Sequence, residues 1–444
     1  MSRSKSGKRL DSYSLIIVFL IIGVAIFLII NFIPSRHFNK SPRQITKLYY
    51  ADNISPAHAD IIRLFNEEYA GQIQVIPIDL SFDRFTTNER KELLARSLRS
   101  QNSRIDVFAV DVIWVPRFTR WALPLDEHLG DIARTQILDQ AVTTAYYGGD
   151  LVSIPIYIDI GLMYYRRDLI RALPNGEELE RKIQGSISWD ELIRLHGSMM
   201  PSEYMYMFQG DQYEGIVCQF LEILASQEGA IFKDGQLDLT SEPAVNSLRY
   251  MVDLIYKYQM TPADVTAFRE QESYRYAIRN DVPFLRGWPG VDQSPEDYGQ
   301  DSTKVKELAL APFPHFGDHP SAGVFGGWNL MISKHTTKVD ASVKFIRFFL
   351  SEESQQIMID KGLYYPANKN FYEKENYIRE YPVLQYYLSV LKQGVHRPQV
   401  ENYTEISEVL AYFLNRALRR EIDPAQALAK AEEMIHSNRV LVRE

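Results

Sequence analysis

Nineteen consecutive residues, Leu15 to Ile33 (LIIVFLIIGVAIFLIINFI), carry no charge. This run divides the chain before any fold is considered. As a helix rising ~1.5 Å per residue it would extend about 28 Å, the depth of one bilayer core. Arg3, Lys5, Lys8 and Arg9 precede it, and Arg36, Lys40 and Arg43 follow, so basic residues alone do not fix its orientation. Asn31 to Arg36 offers no small-x-small cleavage site, and no cysteine is placed for lipid attachment. We read a retained signal anchor at 15–33, with a cytoplasmic stub at 1–14 and a polar, basic tether at 34–44. The body that follows is expected on the extracytoplasmic side of the membrane.

That body is too long for one compact core and should divide into lobes. Hydrophobic residues make up 45% of the chain and charged residues 24%, a balance that excludes pervasive disorder. The net charge is -8. Nucleic-acid binding needs a clustered basic surface, and no such cluster follows residue 50. The lone cysteine, Cys218, lies in an apolar stretch, which excludes a disulfide framework and reads as a buried small hydrophobe.

Residues 45–52 (ITKLYYAD) read as a strand, 57–69 as a helix with Ile61, Leu64 and Phe65 on one face, and Ile73 to Leu80 as a second strand. A helix over Arg90 to Leu98 leads to the short apolar run Ile105 to Val110, typical of a buried parallel strand. This alternation predicts an α/β sheet wound by right-handed crossovers. The middle of the chain reads mostly as helix: Ser188-Trp189-Asp190-Glu191 fits a capping box, and Ser241-Glu242-Pro243 opens another helix. Strand returns at Gly326 to Ser333, followed by a helix with Val339, Val343, Ile346 and Leu350 on one face. Asp423-Pro424 starts a last helix. Two α/β lobes drawing on distant segments would account for this order.

Seven segments taken together resemble the family-1 extracellular solute-binding proteins, in particular their trehalose/maltose-binding branch. They are DVFAVDVIWVPRF (106–118), SIPIYIDIGLMYYRRDL (153–169), FQGDQYEGIVCQFLE (208–222), FLRGWP (284–289), APFPHF (311–316), GGWNLMISKHT (326–336) and RPQVENYTEISEVL (397–410). The resemblance runs from about residue 45 to the end of the chain. It implies a two-lobed periplasmic-binding-protein clamshell of type II character, preceded here by the transmembrane helix. The N-lobe would take 45–156 and 323–372, and the C-lobe 157–322 and 373–444. It further implies that Asp111 and Asp159 grip sugar hydroxyls, that Tyr157 sits beside them, and that Trp288 and Trp328 are stacking platforms. Gly327 would admit the ligand, Arg397 would reach it from the C-terminal segment, and Arg90 matches an early binding arginine. One departure stands out: the first strand-helix turn, Ala51 to Pro56, lacks the branch's glutamate.

The chemistry of these residue types agrees. A carboxylate accepts from two adjacent hydroxyls at once, arginine supplies planar donors, and indole rings cover the apolar face of a pyranose. The expected partners are a small carbohydrate, the permease subunits of an ABC importer, and the membrane through the N-terminal helix. The chain itself is expected to be a monomer without cofactor, metal or catalytic residue. A sugar-sensing receptor ectodomain is the competing reading, though fourteen residues before the helix are too few for a cytoplasmic module. A glycoside hydrolase using Asp111, Asp159 and Glu214 is the third.

Overall fold

The computed structural model describes residues 12–32, 45–81, 84–85, 87–100, 104–198, 202–291, 302–362 and 364–437. They fall into two units, divided between Ile45 and Thr46. The first contains helix α1 (Ser12–Phe32). Its side chains are described without a break only over 16–25, a stretch of ~15 Å and about half a bilayer core. Among the described residues no helix is long and apolar enough to cross a membrane. The transmembrane helix expected at 15–33 is therefore not supported by the described residues, and the tether at 34–44 lies outside them.

The second unit is built on two sheets. β1 (Thr46–Asp52), β2 (Ile73–Asp79) and β3 (Val107–Asp111) are parallel, joined by helices α2 (Pro56–Glu68) and α3 (Thr87–Arg99). This is the alternation expected from 45–110. β4 (Ile154–Ile160) belongs to the same sheet, and a single residue, Gly161, separates it from β5 (Leu162–Arg166), which belongs to the other. Helix α4 (Trp189–Ser198) starts at the expected capping box: the Ser188 N–H donates to Glu191 Oε2 at 3.3 Å, and the Glu191 N–H to Ser188 Oγ at 3.2 Å. Next come β6 (Tyr206–Met207), α5 (Glu214–Ala225), α6 (Glu242–Tyr256), β7 (Phe284–Gly287) and β8 (Leu308–Ala311). Cys218 is fully buried on α5, as its apolar context indicated.

The chain then returns to the first sheet with β9 (Gly323–Ile332), covers it with α7 (Val339–Phe349), and adds β10 (Gly394–Val395). Helices α8 (Tyr403–Leu418) and α9 (Pro424–His436) close the unit and pack against α6, with α8 also against α5. Strand order is β10-β9-β3-β1-β2 in the first sheet, with β4 also on β9, and β8-β5-β7-β6 in the second. β9 runs antiparallel to both β3 and β4 and is buried along its whole length.

Aromatic packing fixes α2 and α7 on the first sheet. Phe345 meets Tyr50 edge-on at 5.1 Å and Phe65 at 5.2 Å, and all three are solvent-excluded. Edge-to-face pairs of this kind add to what burial alone contributes.

Candidate functional site between the two sheets

The site is organised by β9. Register places Asp111 of β3 and Tyr157 of β4 opposite Trp328, and Asp159 opposite Gly326. Opposed residues of paired strands point to the same face, so one face presents Asp111, Trp328, Tyr157, Gly326 and Asp159. Between Gly326 and Trp328, Gly327 adopts a φ of +120°, and a Cβ there would lie 2.6 Å from the Tyr157 carbonyl oxygen. Only glycine fits such a position. The kink precedes a register shift at Trp328/Asn329, and together they set the angle at which the indole leaves the strand.

Trp328 stands against Trp114, edge-on at 5.4 Å, and carries the Arg90 guanidinium 4.5 Å from its ring centroid. Burial lowers the Arg90 pKa, and Asp52, 3.8 Å away, partly offsets that. The Asp52 carboxylate is taken up by its surroundings: it accepts from the Tyr50 hydroxyl and from the Asn53 N–H (2.6 Å), and lies 3.4 Å from His58 Nε2. The Tyr157 ring packs on Tyr364 at 4.6 Å.

Trp288 reaches this face from the other sheet. It follows β7, donates its N–H to the Tyr274 hydroxyl (3.2 Å) and accepts from the Tyr164 hydroxyl (3.1 Å) at its carbonyl. A Cβ on Gly326 would approach the Trp288 ring at 3.0 Å. The bare glycine is thus what lets an indole of the second sheet lie against the backbone of the first.

Arg397 ties the two halves together. Its Nε donates to the Phe325 carbonyl (3.2 Å), Nη1 to Glu214 Oε1 (2.8 Å) and Nη2 to Asp111 Oδ1 (3.3 Å). Glu214, at the start of α5, also accepts from the hydroxyls of Tyr403 (2.9 Å) and Ser407. With both oxygens so engaged, Glu214 is a brace for Arg397 and not a free acid or base.

Asp159 is different. Among the described residues its half-buried carboxylate takes no hydrogen bond and no ion pair. Burial, with the Asp111 charge nearby and only partial relief from Arg397, pushes its pKa up to about 7. Burial raises Asp111 as well, against the opposing pull of Arg397. A proton held more tightly in the folded state stabilises it below the unfolded pKa, and that contribution is lost as pH rises through 7. We therefore expect stability to fall between about pH 4 and pH 7, with a slope of up to about 1.4 kcal/mol per pH unit from this group. Urea unfolding of wild type and Asp159→Asn across that range checks it, since the variant should show a shallower slope. Parallel profiles would refute the assignment.

All eight residues singled out in the sequence therefore meet around β9. Glu214 had been weighed only as a hydrolytic acid, and Tyr364, Tyr403 and Ser407 were missed. Tyr403 and Ser407 lie in the segment 397–410, but their contact with Glu214 is made only by the tertiary fold, for Tyr403 across 189 positions of chain.

The profile of the bacterial extracellular solute-binding protein family matches residues 53–356. The chain belongs to this family. A probable ABC transporter-binding protein of Deinococcus radiodurans is 23% identical over 358 residues, covering 78% of this chain and 83% of that protein. The maltose-bound MalE3 of T. maritima superposes with a TM-score of 0.75 at 26% identity, over 89% of this chain and all of the other. A solute-binding protein of Thermotoga lettingae bound to alpha-D-tagatose gives 0.74 at 21%, over 88% and 99%. The two-sheet unit thus has the two-lobed solute-binding fold, with the candidate site at the meeting of its sheets.

Proposed function

We propose that this solute-binding protein captures a disaccharide or small glycoside between its two sheets and delivers it to the permease of an ABC importer. The observation that carries the reading is Asp159: a half-buried carboxylate, without a hydrogen-bonding partner among the described residues, on a face shared with Trp328 and approached by Trp288. A buried carboxylate without a partner is costly, and sugar hydroxyls are donors that would relieve it. Asp111 and Asp159 receive hydroxyls, Trp288 and Trp328 cover a pyranose face, and Gly327 lets the ring approach the backbone. Tyr157, Arg90 and Arg397 line and brace the pocket. In this proposal the chain crosses between the lobes at Gly161, which keeps β4 whole in the first lobe and puts the boundary at 160/161 instead of 156/157. A ligand that touches both lobes favours closure by its differential affinity for the closed state.

The 19-residue uncharged run at 15–33 supports a further part of the proposal, that the protein is held at the cytoplasmic membrane by its N-terminus with the binding unit outside. Alkaline carbonate extraction tests this: the full chain should stay with the membrane pellet and a chain lacking residues 1–33 should not. Release of both would sink the anchor while leaving the binding role intact.

The binding role is tested by a thermal-shift screen against disaccharides, glycosides, polyols and peptides. A ligand at 100 times its dissociation constant should stabilise the protein by about 2.7 kcal/mol. A response confined to peptides or polyols would overturn the carbohydrate assignment.

A further inference from the structure

Behind Trp288 lies a charged pair that the ligand-facing residues do not use. Arg286 of β7 and Glu222 of α5 are both buried. Their contact is bidentate, Nε to Oε2 at 3.1 Å and Nη2 to Oε1 at 2.9 Å, and the remaining Nη1 donates to Gln209 Oε1 at 3.0 Å. Gln209 closes the ring by donating to the Arg286 carbonyl (3.1 Å) and to Ser273 Oγ (2.8 Å). The guanidinium also sits 4.4 Å from the centroid of the Trp288 ring.

Glu222 meets the crossings between the sheets as well. A Cβ on Gly161 would fall 1.9 Å from Glu222 Oε1, so the carboxylate occupies the space a side chain would need at the β4–β5 crossing. The Gly161 N–H donates to the Val324 carbonyl at 2.9 Å, and burial raises the Glu222 pKa, with the nearby Val324 backbone lowering it in part. One carboxylate therefore abuts the outgoing crossing at Gly161, whose N–H holds the returning strand at Val324, and grips the arginine under Trp288.

We propose that Glu222 and Arg286 form a positioning pair that couples the interlobe crossings to Trp288, fixing the pose of that indole relative to β9. The proposal rests on reading Trp288 as the stacking platform of the second lobe. Neither residue touches the ligand; both act through the ring. A buried ion pair is a poor source of net stability, because desolvation offsets its attraction, and an apolar pair of similar volume often replaces it without loss. Its two-sided contact accounts for its place better: the pair holds direction, which a purely apolar contact would not.

The test uses the full-length chain in mild detergent and reads Trp288 without any ligand, as the difference in emission between each protein and its Trp288→Phe counterpart. In the double variant Glu222→Leu/Arg286→Met, we expect an unfolding midpoint near that of wild type. The Trp288 component should shift to the red and be quenched by iodide at least twofold more efficiently. Affinity for maltose, used as the probe, should fall at least tenfold. A folded double variant with unchanged Trp288 emission and quenching overturns the proposal. Should that variant fail to fold, Arg286→Lys decides: it keeps the charge but loses the planar fork, and unchanged quenching in it overturns the proposal equally. Maltose that does not bind wild type excludes maltose as the cargo, and the Trp288 readout, which uses no ligand, still decides the pair.

Discussion

Arg397→Ala should lose roughly 3–5 kcal/mol of stability, the range seen when one partner of a buried pair is removed. The side chain is 3% exposed and every one of its nitrogens has an acceptor. Its loss strands Asp111 and Glu214, both largely buried, along with the Phe325 carbonyl. Arg397 also pulls down the pKa of Asp111 and Asp159, so in its absence both hold their protons to higher pH. Protonation removes part of the cost, and the deficit should accordingly be smaller at pH 5 than at pH 8. Urea unfolding at the two pH values measures this. An equal deficit at both, or none, would show that Arg397 is not the brace described. Arg397→Lys keeps one charge without the fork and should fall between the two.

Gly327→Ala is the second large effect. At a φ of +120° any side chain is strained, by about 1–3 kcal/mol, and the added Cβ must also clear the Tyr157 carbonyl, 2.6 Å away. Overpacking of that kind costs about 1–3 kcal/mol more. Because β4 and β9 are bonded at this point, relief can come only by parting the strands, which moves Trp328. The substitution should therefore reduce both stability and ligand affinity. Gly148→Ala supplies the contrast: its φ is +64° and no atom lies within 4 Å of the added Cβ. It should cost only the backbone strain, about 1–2 kcal/mol, and leave binding unchanged. Equal effects from the two would remove the argument for a close approach at Gly327.

Particular elements show what the sequence could and could not convey. The segment from Thr46 to Asp111 was legible because each strand is five residues or more and each helix shows a one-sided apolar pattern. The second sheet was not: its strands are only two to five residues long and almost wholly buried on both faces, so they lack the alternation that marks a half-exposed strand. Gly161 carried no local signal either, since its need for a bare backbone arises from Glu222, sixty-one positions later in the chain. At the site, the strands that carry Asp111 and Trp328 could be read from their own residues, whereas the roles of the two side chains came from the resemblance. Arg90 had the weakest case in sequence, on a polar helix, yet it lies over Trp328. The partners of Arg397 required the tertiary fold, because α5, β3 and α8 meet only there. Resemblance supplied the set; register and packing supplied the reason that it converges.

The most direct test of the account is calorimetric titration of the best sugar from the screen into wild type and Asp159→Asn, at pH 6 and pH 8. Among the described residues the Asp159 carboxylate has no hydrogen-bonding partner to lose, so the substitution isolates what it offers a ligand. The account predicts one site per chain in wild type, tighter at pH 8 than at pH 6, because hydroxyls donate to the ionised carboxylate. It predicts affinity at least tenfold weaker, and indifferent to pH over this range, in Asp159→Asn. Undiminished binding in the variant, with the same response to pH, would place the ligand elsewhere and contradict the central claim.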